Sequence, residues 1–463
     1  MKLWVQGAAI LLLLVGGSIA GCGKSFKGDA DSASGRIKVQ IIAPGSVTND
    51  TAATTPYSFA VVDLLDVYDL VSSSGKYAQF YTRASRVEGH LLGTQPRGQF
   101  LKSKEGTFVP KNFLTQQIAT LYYHAQNLVR LETSLDFDSK RNKPLKIVLD
   151  TPVLNTKQNE NNAFFDGDLD AIVFLKYSEG NLPLSLNGGV FAHEYFHSIF
   201  DKLVIRAVKN SDVFSIPIAI NKLINSKTLD DVKNKDLSEQ VKKLTVKLAE
   251  GPVTLDADNV KWYYSLLIKG FNEGLADYWG WQYVNDSAFI AHSLPQTITT
   301  RKLDLKSQNI ETLQLLSEAE MLSIVYQVSE SDEEKLDLVN AYSYLLGARV
   351  ALFFKTYSET VQRERGLSDT EVKKNMNQTV INFVKSLAKS LPQITMASAQ
   401  TELKSPYALM YDFITAQEIK NQNECNLLRL FLENDPNWSN KLECVASGQS
   451  SSSQFKLATK GVQ

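Results

Sequence analysis

The stretch GGVFAHEYFHSIF, residues 188 to 200, places two of the chain's five histidines four positions apart, with a glutamate directly after the first. Residues four apart on an α-helix lie almost one above the other, so His193 and His197 can turn both imidazoles toward one ion. Glu194 stands about 100° further round and can flank that ion without ligating it. Neutral imidazoles suit Zn²⁺, whose catalytic sites use three protein ligands and keep one position for water. The chemistry on offer is hydrolysis by metal-activated water with Glu194 as general base. The plainer alternative makes the two histidines core residues of an apolar helix.

A third ligand is available downstream. KGFNEGLADYWG sets Glu273 and Asp277 four apart in a second helical stretch. Glu273 completes a His₂Glu set, and Asp277 can accept a hydrogen bond from a ligand histidine and so fix its tautomer.

HEYFH followed by NEGLAD resembles the thermolysin-like zinc metallopeptidases, in which HExxH is followed by NExxxD. The resemblance implies that His193, His197 and Glu273 hold one Zn²⁺, that Glu194 is the general base and that Asp277 supports His193. It implies an α+β fold of two lobes, a β-containing N-terminal one and a mostly helical C-terminal one, with the zinc site between them. NNAFFDG, 161–167, looks like the family's edge strand along the cleft, which carries a role in holding substrate main chain over to Asn162 and Ala163. The family's oxyanion-binding histidine has no counterpart, since His90, His124 and His292 all lie elsewhere. Aligning VNAYSYLLGARVALFF on Gly347 and Ala348 puts Tyr344 near the missing place, as an oxyanion donor or as a core aromatic. Arg349 either orients the site or lies on the surface. DGDLD, Asp166 to Asp170, has the spacing of a calcium loop but carries Ala171 and Tyr177 where an EF-hand has glycine and glutamate. It is a Ca²⁺ site by family analogy or else a solvated acidic turn.

These residues need elements to position them. RIKVQIIAP, QFYTRA, GTFVP, KPLKIVLDT and AIVFLKY read as strands, and 112–132 as an amphipathic helix with Phe113, Ile118, Leu121, Leu128 and Leu131 at helical spacing. Gly188-Gly189 offers a flexible entry to the histidine helix. Beyond it the texture is helical: 204–250 with a charged run at 229–250, then 259–284, 334–362, 374–390 and 406–420. Residues 198–272 separate the two motifs by more than the family uses, as a lid or a docking surface.

The N-terminus joins Lys2, an apolar run Ala8–Val15 and small residues before Cys22, the makings of an export signal. Ile19-Ala20-Gly21-Cys22 resembles a bacterial lipobox, which implies cleavage before Cys22 and its diacylation; an uncleaved membrane helix is the alternative. Gly23 favours the outer membrane. Residues 1–21 are thus a signal peptide, 22–35 a flexible tether, 36–187 the N-terminal lobe, 188–445 the helical lobe and 446–463 a disordered tail. In an exported chain Cys425 and Cys444 read as one structural disulfide.

The charge balance, 49 basic against 50 acidic residues, gives no support to nucleic-acid binding. The expected partners are a peptide or protein substrate and the lipid bilayer through acylated Cys22, with the chain a monomer. The expected function is that of a lipid-anchored extracytoplasmic zinc metalloendopeptidase. Its rivals are a non-catalytic binding protein that keeps the fold, and a zinc amidase acting on cell-wall peptides.

Overall fold

The computed structural model describes residues 35–44, 57–87, 90–135, 143–150, 160–214, 255–304, 315–326, 332–415, 417–433, 442–447 and 454–459. The fold is mixed α+β, with sheets in the N-terminal part and helices in the C-terminal part.

Strands β1 (Arg36–Pro44) and β2 (Tyr57–Leu65) form an antiparallel pair, and a small ribbon, β3 (Val67–Asp69) with β4 (Ser74–Gly75), follows. Then come β5 (Ala78–Val87), β6 (His90–Thr94), β7 (Phe100–Lys102) and β8 (Phe108–Pro110). Helix α1 (Phe113–Ser134) precedes β9 (Leu145–Leu149), β10 (Ala163–Asp166) and β11 (Ala171–Phe174). One sheet has the order β2-β1-β8-β7 and the other β10-β11-β9-β5-β6.

Helix α1 begins where Asn112 accepts from the Thr115 amide, an ordinary N-cap. Its apolar stripe, Ile118, Leu121, Tyr122, Ala125 and Leu128, is fully buried against the first sheet, whose inward residues Val39, Ile41 and Leu64 are fully buried too. Tyr122 and Gln126 also reach the outer edge of β2, bonding the Leu65 carbonyl, the Leu65 amide and the Asp63 carbonyl. This satisfies strand groups that would otherwise invite another chain.

Helices α2 (Gly188–Phe200), α3 (Ala257–Val284), α4 (Asp332–Arg365) and α5 (Asp369–Ser390) make the rest of the core, with α6 (Pro406–Thr415) and α7 (Gln422–Glu433) beside them. All thirteen residues of α2 are buried, as an apolar helix requires. Helix α3 lies between α2 and α4 at backbone distance. A Cβ on Gly280 would meet the Gly189 carbonyl oxygen at 2.8 Å, and one on Gly274 the Gly347 carbonyl oxygen at 2.4 Å. The Gly188-Gly189 pair is therefore no flexible entry; both residues are helical and packed against His124 and Phe289. Among the described residues no helix is long and apolar enough to cross a membrane.

Cys425 on α7 and Cys444 on β12 (Leu442–Ser447) are joined by a disulfide, Cα to Cα 5.9 Å. The tail is not wholly without structure: β13 (Gln454–Thr459) pairs antiparallel with β12. Its alternation of Phe455 and Leu457 with polar neighbours was outweighed by the serine run before it. The last expected helix ends at Thr415, short of residue 420. The charged run 229–250, the signal, Cys22 and most of the tether lie outside the described residues.

The crossing of α3 and α4 predicts that Gly274→Ala destabilises the fold by about 1–3 kcal/mol through forced separation of two backbones. Gly180→Ala, where an added Cβ meets nothing, should stay within about 0.5 kcal/mol of wild type. Thermal unfolding of the two variants checks this, and equal midpoints would contradict it.

Candidate metal centre

Asn187 starts the histidine helix. Its side-chain oxygen accepts from the Gly189 and Val190 amides and from the Tyr57 hydroxyl, while its amide donates to the Phe289 carbonyl and to Ser293. One residue thus ties α2 to the first sheet and to the 286–297 loop. Helix α3 starts on an Asp256 cap and presents Lys269, Asn272, Glu273 and Asp277 as buried polar groups. Buried groups of this kind are costly unless paired.

Their pairing is specific. His193 Nδ1 lies 2.9 Å from Asp277 Oδ1, and His197 Nδ1 lies 2.9 Å from Asn272 Oδ1. Both partners are acceptors, which favours a proton on each Nδ1 and turns both Nε2 atoms inward. The two Nε2 atoms are 3.0 Å apart, and Glu273 oxygens stand 3.6 Å from His193 and 4.0 Å from His197. Three acceptors at these distances call for positive charge beside them: Arg301, 3.4 Å from His193 Nε2 and 3.5 Å from Glu273, supplies part of it, and a shared proton or a metal ion can supply the rest. His193, His197 and Glu273 form the one metal-competent group among the described residues, with donor atoms within 4.8 Å of one another. Two nitrogens bound tetrahedrally to one zinc at about 2.0–2.1 Å stand about 3.3 Å apart, so the pair fits such an ion after a small adjustment.

Glu194 Oε1 is 4.0 Å from His193 Nε2, beside the group rather than within it. Burial pushes its carboxyl up to about 8; Glu273 adds to this, and His193 and Arg301 oppose it. Burial holds the His197 ring down to about 4, with His193 contributing. For His193 burial opposes the charged ring, but Asp277 outweighs it and the net direction is upward. Burial likewise opposes the charge on Asp277, and Arg301 with His193 holds its carboxyl below the usual range.

Arg301, on a single helical turn at Ile298–Arg301, is the residue that sequence reasoning missed. It grips Asp277 with two nitrogens, at 2.5 and 3.2 Å, and lies 3.5 Å from Glu273 and 3.4 Å from His193 Nε2. Nothing local marks it, because its role comes from a contact with a distant helix. Asn272 was also missed, although it opens NEGLAD; on a helix it faces a different direction from Glu273 and meets His197. Lys269, one turn before Glu273, donates to Asn340 and is drawn down to about 7 by burial, Glu273 opposing.

The structure brings together most of the expected residues. Asn162, Ala163, Phe164, His193, Glu194, His197, Glu273, Arg301 and Tyr344 line one cavity. β10 is the edge strand of the second sheet, as NNAFFDG leads one to expect. The Asn162 side chain accepts from the Ala163 amide, 2.9 Å. Two cations lie over the Tyr344 ring, Arg301 at 4.9 Å and Lys269 at 5.4 Å from its centre. Burial pushes its hydroxyl well above the usual range, so it stays a donor. Arg349 does not reach the site; the charges acting on it are Glu320 and Tyr407, and it is largely buried rather than on the surface. In DGDLD the Asp166 carboxylate accepts from the Asp168 and Leu169 amides, both 3.0 Å, closing the β10–β11 turn. This explains the motif as turn chemistry.

A comparison with models of known protein families finds no match for the chain, and neither does one with curated proteins.

The remaining histidines stay outside it. His90 is exposed, and His292 pairs with Asp286 at 2.5 Å. His124 is buried under α2, 2.8 Å from the Tyr283 hydroxyl, and burial holds its ring down to about 3. In the unfolded chain it takes up a proton below about 6.5. Its contribution is therefore complete above pH 6.5 and is lost as pH falls from there toward 3, at up to about 1.4 kcal/mol per pH unit. Urea unfolding between pH 7 and 4 should show a shallower loss for His124→Gln than for wild type; parallel curves would contradict this.

Proposed function

We propose that the chain is a lipid-anchored extracytoplasmic zinc metallopeptidase that hydrolyses peptide bonds. The observation that carries the reading is the convergence of two imidazole Nε2 atoms and a carboxylate, with a second glutamate beside them. The likeness of HEYFH and NEGLAD to thermolysin-like enzymes supports it, and so does an edge strand that lines the same cavity.

His193, His197 and Glu273 hold the ion, with Asp277 and Asn272 keeping both rings in the tautomer that ligation needs. Zinc bound there supplies a Lewis acid and lowers the pKa of bound water to about 7. Glu194 takes the proton of the attacking water and passes it to the leaving amine. Substrate main chain adds to the open edge of β10 at Asn162 and Ala163, displacing the Asn162 side chain from the Ala163 amide. Tyr344 donates to the developing oxyanion, and the cations on its ring polarise the hydroxyl in that direction. Arg301 fixes Asp277 and thereby His193.

The test is cleavage of denatured casein and of murein peptides by zinc-loaded protein. Glu194→Gln should keep its zinc and lose about 10²–10⁴ in kcat/KM. Tyr344→Phe should lose about 10²–10³ in kcat with little change in KM. A Glu194→Gln variant that cuts as fast as wild type contradicts the mechanism. Zinc binding without cleavage of either substrate points to a binding protein, and cleavage of murein peptides alone to an amidase.

A further inference from the structure

The first sheet has one face that nothing among the described residues covers. Its inner residues pack on α1, whereas the outer ones alternate with them and reach solvent. Phe59 is 66%, Val61 58% and Leu101 52% exposed. The register makes them continuous. Val61 pairs with Gln40 and Phe59 with Ile42; Val39 pairs with Phe108 in parallel, which sets Gln40 beside Val109, and Val109 pairs with Leu101. A row therefore runs across all four strands, Val61, Gln40, Val109, Leu101, widened by Phe59 and Ile42. Scattered exposed apolar residues are ordinary, but an aligned row on an open sheet face marks an interaction surface.

Its surroundings are basic. Arg36 and Lys38 on β1, Lys104 in the β7–β8 turn and Lys111 just after β8 are exposed, against Asp63 and Glu105. The whole chain has a net charge of -1, so this excess is local. β1 begins at Arg36, fourteen positions after Cys22. Even fully extended, that length spans at most about 50 Å, which keeps this sheet close to whatever holds Cys22.

We infer that the outer face of the β2-β1-β8-β7 sheet rests on an anionic phospholipid surface, with Phe59, Val61 and Leu101 entering the headgroup boundary and the basic residues meeting phosphates. The inference rests on the lipid-anchor part of the reading above. Acyl chains fix the distance of the protein from the bilayer, and this face fixes its orientation. The orientation reaches the cleft, because Tyr57 at the start of β2 bonds Asn187, the cap of the histidine helix.

The experiment uses the acylated chain isolated from bacterial membranes and reconstituted in phosphatidylglycerol–phosphatidylethanolamine vesicles. An environment-sensitive NBD label is placed at Val61→Cys or, on the exposed side of α5, at Asn382→Cys. The label at 61 should shift its emission to the blue and react with aqueous dithionite several-fold more slowly than the label at 382. The difference should grow with the share of phosphatidylglycerol. Equal reactivity at both positions on a chain whose mass shows a diacylated Cys22 overturns the docking and leaves the anchor standing. An unmodified Cys22 overturns the anchor and the docking together. Zinc content and casein cleavage, measured on the same samples, report the peptidase reading separately.

Discussion

Helix α3 is held at backbone distance on two sides, and the site depends on that. Gly280 lets it touch the Gly189 carbonyl of α2, and Gly274 lets it touch the Gly347 carbonyl of α4. Close-packed interiors transmit even small displacements, so a side chain as small as alanine at either contact would move Glu273 relative to the histidines. The two contacts set three distances at once: Asp277 to His193, Asn272 to His197, and Glu273 to both Nε2 atoms. They also bring Tyr344, on α4, to the lining of the same cavity.

Electrostatics then follows from geometry. The Asn272 hydrogen bond and the Asp277 contact at 2.9 Å favour protons on the outward Nδ1 atoms and turn the two Nε2 atoms toward one another at 3.0 Å. Such an arrangement is unstable in a buried place without a cation, and a proton and a metal ion compete for it. Arg301 borders the group, holding Asp277 ionised and reaching His193 Nε2 at 3.4 Å and Glu273 at 3.5 Å, so it offsets part of the negative potential there. Burial raises the proton affinity of Glu194 for the same reason that it costs His197 its own.

Much of this centre was legible in the sequence because helical periodicity is local. The spacings in HEYFH and NEGLAD place side chains on one helical face whatever surrounds them, and the alternation in RIKVQIIAP, like the short apolar run in AIVFLKY, marks a strand in the same way. What was not legible is tertiary. Arg301 sits on one helical turn with no pattern of its own, and its partner lies on another helix. The glycine pair before HEYFH looks like a hinge in one dimension and is a packing surface in three. Arg349 shares a helix with Tyr344 but points to different neighbours, Glu320 and Tyr407, which no spacing rule reveals. The strand at 454–459 was masked by the serines beside it.

The central claim is an ion between His193, His197 and Glu273, and X-ray absorption at the zinc edge on the purified chain tests it most directly. The account predicts about one zinc per chain, with two imidazole nitrogens and a carboxylate oxygen at about 2.0–2.2 Å in its nearest shell, and the loss of that shell in His197→Ala. A chain that stays free of zinc when supplied with it, or that binds zinc with no imidazole in the shell, would contradict the account.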